Sequence, residues 1–203
     1  MLVSDSHKFV FFHFPKTGGS SITYALAPFL QHNPKVPLSW QTPPDPREAF
    51  MGWQPNHHRD LIQHSPMKEC KYPDGYFTAS FVRNPYDIVV SAWHNKEQPF
   101  ERFVIEEVAT RKNIISRHGC QLDYLSDEDG NLMVDWIGRY ENLEQDWEKF
   151  CWLTKVPHRL LKKLNSSWKN PYKEYYNERT YLIVTELYKK DLNYFGYTLD
   201  KDL

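Results

Sequence analysis

The stretch FHFPKTGGSSITYAL, residues 12–26, holds the residue types that grip an anion. Lys16 offers a mobile positive charge, and Thr17, Ser20 and Ser21 offer hydroxyl donors. Gly18 and Gly19 let backbone N–H groups approach a ligand with no Cβ in the way. Apolar spacing at Ile22, Ala25, Leu26 and Phe29 predicts a helix from Ser20, whose N-terminal dipole would face the same anion. The order of these residues is unlike that of a triphosphate loop, G-x-x-x-x-G-K-[ST], where lysine follows the last glycine. Here Lys16 precedes both glycines, and none lies upstream of it. These residues alone leave open which phosphate-bearing ligand the loop holds.

A second group lies in FVRNPYDIVVSAW, residues 81–93. Arg83 can fork onto a phosphate, or pair with a carboxylate. Asn84 suits a helix cap, Pro85 the first helical position and Asp87 the first turn. Helical spacing sets Ser91 on the same face as Asn84 and Asp87.

Two strands must position these groups. KFVFFHF, residues 8–14, is aromatic and β-branched and stops at Pro15, which suits a buried strand. GYFTASFV, residues 75–82, reads as a second strand running into Arg83. Pro28 should end the first helix early. Residues 31–60, rich in proline, asparagine and histidine, read as a long functional loop or lid. Residues 100–112, 142–155 and 178–195 read as helices. QLDYL–SDEDGN–LMVDWIGRY reads as two strands around a polar turn. Strand–loop–helix followed by strand–helix predicts an α/β fold with a mostly parallel sheet, and ligands at the carboxyl ends of its strands.

The whole chain bounds the function. Its 203 residues suit a single domain, residues 1–203, and 40% hydrophobic with 16% aromatic content is globular. A net charge of −1 argues against bulk electrostatic binding of nucleic acid. Three widely spaced cysteines, Cys70, Cys120 and Cys151, favour a reducing compartment over a disulfide framework. The N-terminal apolar run is too short to span a membrane and shows no cleavage site, so the expected location is cytoplasmic.

Taken together, PKTGGSS and RNPYD…S resemble the sulfotransferases that use 3′-phosphoadenosine 5′-phosphosulfate, above all the Golgi-type carbohydrate sulfotransferases and their bacterial relatives. The resemblance extends over QLDYLSDEDGNLMVDWIGRYENLEQDW and LNSSWKNPYKEYY…YKKDLNYFGY, and leaves residues 31–60 uncovered. It implies a P-loop-like three-layer fold, a central sheet flanked by helices. It implies that Lys16, Thr17, Gly18, Gly19, Ser20 and Ser21 hold the 5′-phosphosulfate. Arg83 and Ser91 would hold the 3′-phosphate. The lysine's position is the family's own, suited to the oxygen bridging phosphorus and sulfur. A histidine between the two motifs would be the base: His64, in LIQHSPMKEC, with His57 and His58 in reserve. Lys169, in NSSWK, is the candidate for a further contact to the 3′-phosphate, although Ser166 stands where the family often has a basic residue. The acceptor is a hydroxyl, read first as a carbohydrate's.

No metal is expected, because the histidines come without paired thiolates. SDEDGN lacks a calcium loop's final glutamate and reads as a turn. The competing functions are a P-loop kinase-like protein with a degenerate loop and a catalytically inactive nucleotide-binding relative.

Overall fold

The computed structural model describes residues 1–30, 66–94, 96–162 and 170–199. Four strands form one sheet in the order β1-β2-β3-β4: Leu2–Ser4, Phe9–Phe12, Phe77–Val82 and Trp136–Arg139. β1 runs antiparallel to β2, while β2, β3 and β4 are mutually parallel. The helices, in chain order, are α1 (Gly19–Leu26), α2 (Pro85–Trp93), α3 (Phe100–Phe103), α4 (Gln121–Leu125), α5 (Leu143–Thr154), α6 (Glu178–Leu187) and α7 (Lys189–Phe195).

β2 shows why its sequence reads as continuously apolar. Phe9 and Phe11 enter a core with Ile22 and Leu26 of α1 and Trp147 and Phe150 of α5. Val10 and Phe12 enter a second core with Ile88, Val89 and Val90 of α2 and Val184 of α6. Both faces of the strand are therefore dry, and no polar alternation is needed. Phe150 meets Phe9 edge-on at 5.4 Å and Phe11 at 5.9 Å. A fully buried phenylalanine of this kind contributes about 1.5–3 kcal/mol over an exposed one.

α1 ends where Pro28 enters a 3₁₀ turn over Ala27–Phe29. At the start of α2 the Asn84 side chain accepts from Tyr86 N at 3.1 Å, and Pro85 takes the first position. One expectation, the pair of strands around SDEDGN, is corrected. QLDYL is the helix α4: Gln121, Tyr124 and Leu125 are buried, and this i, i+3, i+4 spacing is helical. Ser126 and Leu132 make only a single antiparallel bridge around the polar turn, and β4 pairs with β3 instead. The segment 178–195 divides at Tyr188 into α6 and α7, and α3 widens into a π-helical turn over Val104–Val108. β1 was not anticipated, since three residues are too few to show a period.

SDEDGN is a self-contained turn. Asp127 Oδ1 accepts from Asp129 N at 3.0 Å and Asn131 N at 2.8 Å. Cys70, Cys120 and Cys151 are free thiols. No helix among the described residues is long and apolar enough to cross a membrane.

Candidate active site

Parallel pairing brings the carboxyl ends of β2, β3 and β4 to one edge. Three junctions follow there: residues 13–18, Arg83–Asn84, and Arg139 to Glu141.

The first junction is a tight turn. Lys16 has φ 68° and Gly18 φ 83°, both left-handed, so the chain reverses sharply before α1. The Thr17 hydroxyl donates to Phe14 O at 2.8 Å and braces the turn from inside, because Thr17 is buried. Gly18 caps α1, and its carbonyl accepts from Ser21 N and Ile22 N. The two glycines are needed for different reasons. Gly18 must adopt a positive φ, and a Cβ there would lie 3.1 Å from the Tyr140 ring. Gly19 makes room for the imidazole of His13, since its Cβ would fall 1.8 Å from His13 Nε2.

What remains open at this turn is cationic and protic. Lys16 Nζ and the Ser20 and Ser21 hydroxyls make no hydrogen bond or ion pair in the described structure. The N–H groups of Gly19 and Ser20, the first two of α1, have no intrahelical acceptor. The Lys16 ammonium is pushed below the ordinary lysine pKa, first by burial and second by the Arg83 charge. Two neighbouring cations, one half-buried without a carboxylate partner, favour an anion between them.

The second junction is densely bonded. Arg83 is buried, and its guanidinium lies over the Tyr140 ring at 3.9 Å. Its Nε donates to Asp87 Oδ2 at 2.7 Å, NH2 approaches the same oxygen at 2.5 Å, and NH1 donates to Lys16 O at 2.8 Å. A guanidinium has five N–H groups, so donors remain for a ligand. The bond to Lys16 O makes Arg83 a support of the lysine loop as well as a cation. Tyr140 touches both motifs, one through Arg83 and the other through Gly18.

Asn84 N donates to Glu141 Oε1 at 2.5 Å. Asn84 Nδ2 donates to Tyr172 OH at 3.1 Å and Thr198 O at 2.8 Å. Tyr197 OH donates to Glu141 Oε2 at 3.1 Å. Burial pushes the Glu141 carboxyl up, although Asn84 N, its largest opposing influence, favours the charged form. Ser91, two turns beyond Asn84 on α2, is half-buried, and its hydroxyl has no partner in the described structure.

Comparison with known proteins gives a family for the chain. The family described as the sulfotransferase family matches residues 1–198. The chain belongs to the sulfotransferase family. Membership implies sulfuryl transfer. No curated protein and no solved structure matches it.

Of the residues expected at this sulfotransferase's site, Lys16, Thr17, Gly18, Gly19, Ser20, Ser21, Arg83 and Ser91 are described. The first six lie on the loop and the start of α1, and Arg83 meets that loop through Lys16 O. Thr17 turns inward, and its single proton is committed to Phe14 O. His64, His57, His58 and Lys169 lie outside the described residues, as do residues 31–60. Sequence reasoning missed His13, Tyr140 and Glu141. His13 had a signal, since it lies two residues before Pro15 at the end of the first strand segment. Tyr140 and Glu141 had only their place at the end of a strand.

Proposed function

We propose that the protein transfers a sulfuryl group from 3′-phosphoadenosine 5′-phosphosulfate to an acceptor hydroxyl, first of all on a carbohydrate. The observation that supports this best is Lys16. It is a half-buried ammonium with no acidic partner, on a left-handed turn beside Arg83. A P-loop kinase would set its lysine after the last glycine, and this loop does not.

In this reading the acceptor oxygen bonds to sulfur as the bond from sulfur to the bridging oxygen breaks. Lys16 offsets the charge that collects on that oxygen as adenosine 3′,5′-bisphosphate leaves. Ser20, Ser21 and the first N–H groups of α1 hold the 5′-phosphate oxygens. Thr17 keeps the turn in shape. Arg83 and Ser91 take the 3′-phosphate, with Lys169 as a further contact. His64, assigned by resemblance, accepts the hydroxyl proton. His13 is the histidine whose ring lies against the loop at Gly19, and it is the second candidate for that proton.

No metal is required in this scheme, because the transferred group carries less charge than a phosphoryl group. We further propose one catalytic domain across residues 1–203, with a P-loop-like arrangement around the sheet, acting in the cytoplasm.

The test is a transfer assay with the phosphosulfate donor, a panel of sugar acceptors and chelator. A sulfated product that survives chelation, and is lost in His64→Ala but retained in His13→Ala, supports the whole reading. Loss in His13→Ala alone moves the base to His13. Product formed only with ATP and magnesium overturns the donor.

A further inference from the structure

β3 ends at Val82, and its neighbours end with it: Val82 pairs with Arg139, the last residue of β4, and β2 stops opposite Ser80. The peptide of Arg83 therefore lies beyond the ladder, buried, with a donor and an acceptor to satisfy. A side chain satisfies both. Arg83 N donates to Gln121 Oε1 at 2.8 Å, and Gln121 Nε2 donates to Arg83 O at 2.8 Å. The amide of Gln121 extends the sheet by one residue, from the start of α4.

Gln121 is held in its turn by a carboxylate. Asp191 Oδ2 accepts from Gln121 N at 2.9 Å and from Gln121 Nε2 at 3.0 Å, and Asp191 Oδ1 accepts from Leu122 N at 2.8 Å. Asp191 and Gln121 are fully buried, and among the described residues no cation pairs with Asp191. Burial pushes the Asp191 carboxyl up, and the N–H groups around it oppose that. A carboxylate accepts and does not donate, so it fixes which way the Gln121 amide points. Nε2 must face Asp191, which leaves Oε1 to face Arg83 N.

We propose that Gln121 and Asp191 are positioning residues for Arg83: a carboxylate on α7 orients an amide on α4, and that amide sets the peptide carrying the phosphate-binding guanidinium. This rests on the reading that Arg83 meets the donor's 3′-phosphate. The role differs from general support of the fold in one respect. It predicts a loss that falls mainly on ligands bearing a 3′-phosphate.

The experiment uses the full chain with Gln121→Met and Asp191→Asn, titrated by calorimetry with adenosine 3′,5′-bisphosphate and with adenosine 5′-phosphosulfate, which lacks the 3′-phosphate. The expected result is an affinity loss of about tenfold or more for the first nucleotide and of less than about twofold for the second. Folded variants that keep the wild-type preference for the 3′-phosphate, or weaken equally toward both nucleotides, overturn the proposal.

Amide hydrogen exchange supplies the second measurement. The Arg83 amide of the wild-type chain should exchange as slowly as the centre of β3, and its protection should fall in Asp191→Asn. An Arg83 amide that exchanges like an open strand end overturns the proposal even where a variant does not fold. Wild-type chain that binds neither nucleotide removes the donor reading instead, and exchange at Arg83 then decides the positioning role alone.

Discussion

The loop after β2 and the junction after β3 adjoin at one sheet edge, yet their polar groups are in opposite conditions. At the loop, Lys16 Nζ, Ser20 and Ser21 have no partner in the described structure. At the junction, Arg83, Asn84 and Glu141 are tied to Asp87, Lys16 O, Tyr172, Thr198 and Tyr197. A protein leaves half-buried cations and hydroxyls unpaired where a ligand will pair them, because the desolvation cost is otherwise unrecovered. It braces a cation with several bonds where that cation must hold a fixed direction. In the proposed reaction the loop is the place where charge changes, and the junction is the frame that keeps its geometry.

The largest expected effect breaks the open side. Lys16→Ala should lower kcat by about 10²–10³ with a much smaller change in nucleotide affinity, the size seen on removing one charge-stabilising donor. A loss confined to nucleotide affinity would make Lys16 a binding residue only.

Its ionisation gives the same lysine a second signature. The folded pKa lies below the ordinary value, so the binding strength that Lys16⁺ lends is complete below that lowered pKa. It is lost as pH rises through it. Adenosine 3′,5′-bisphosphate affinity should therefore fall with rising pH before the ordinary lysine range, and the fall should vanish in Lys16→Ala. The free protein should change the other way. Between the lowered and the ordinary value the unfolded chain holds the proton more tightly, so stability rises with pH across that window.

A middle effect breaks the bonded side. Glu141→Ala leaves Asn84 N, a buried donor, without its acceptor, and should cost about 1–3 kcal/mol of stability in a denaturant titration. Glu141→Gln keeps an oxygen for that N–H and should recover most of it. Equal losses in both variants would mean that charge, and not the acceptor, is what Asn84 needs.

The smallest effect sharpens the comparison within the junction. The Ser91 hydroxyl is open among the described residues, so Ser91→Ala should leave the melting temperature unchanged. It should weaken adenosine 3′,5′-bisphosphate by about 0.5–1.5 kcal/mol, the net worth of one hydrogen bond. A change in stability without a change in affinity would make Ser91 part of the frame.

The difference between the two regions also decides what the sequence could reveal. The loop and the cap are local. FVFF makes a dry strand, a lysine and two glycines make the turn, and Asn84–Pro85 starts α2 within two residues. These were readable because cause and consequence lie a few residues apart. The frame is assembled at a distance. Gln121 meets Arg83 across 38 residues, Glu141 meets Asn84 across 57 and Asp191 meets Gln121 across 70. No local pattern distinguishes such a buried glutamine or glutamate from a solvated one. QLDYL was misread as a strand for the same reason, since its helical start is stabilised by Asp191 on a distant helix. The approach of the His13 ring to Gly19 is likewise invisible in the local pattern. His64, His57, His58 and Lys169 rest on the resemblance to the family, because they lie outside the described residues.

The most direct test of the central claim is calorimetric titration of the full chain with adenosine 3′,5′-bisphosphate, adenosine 5′-monophosphate and ATP, all with chelator present. The account predicts micromolar-range binding of the bisphosphate that depends on its 3′-phosphate and needs no metal, corresponding to roughly −8 kcal/mol. Indifference to the 3′-phosphate, or binding that appears only for ATP once magnesium is restored, would contradict it.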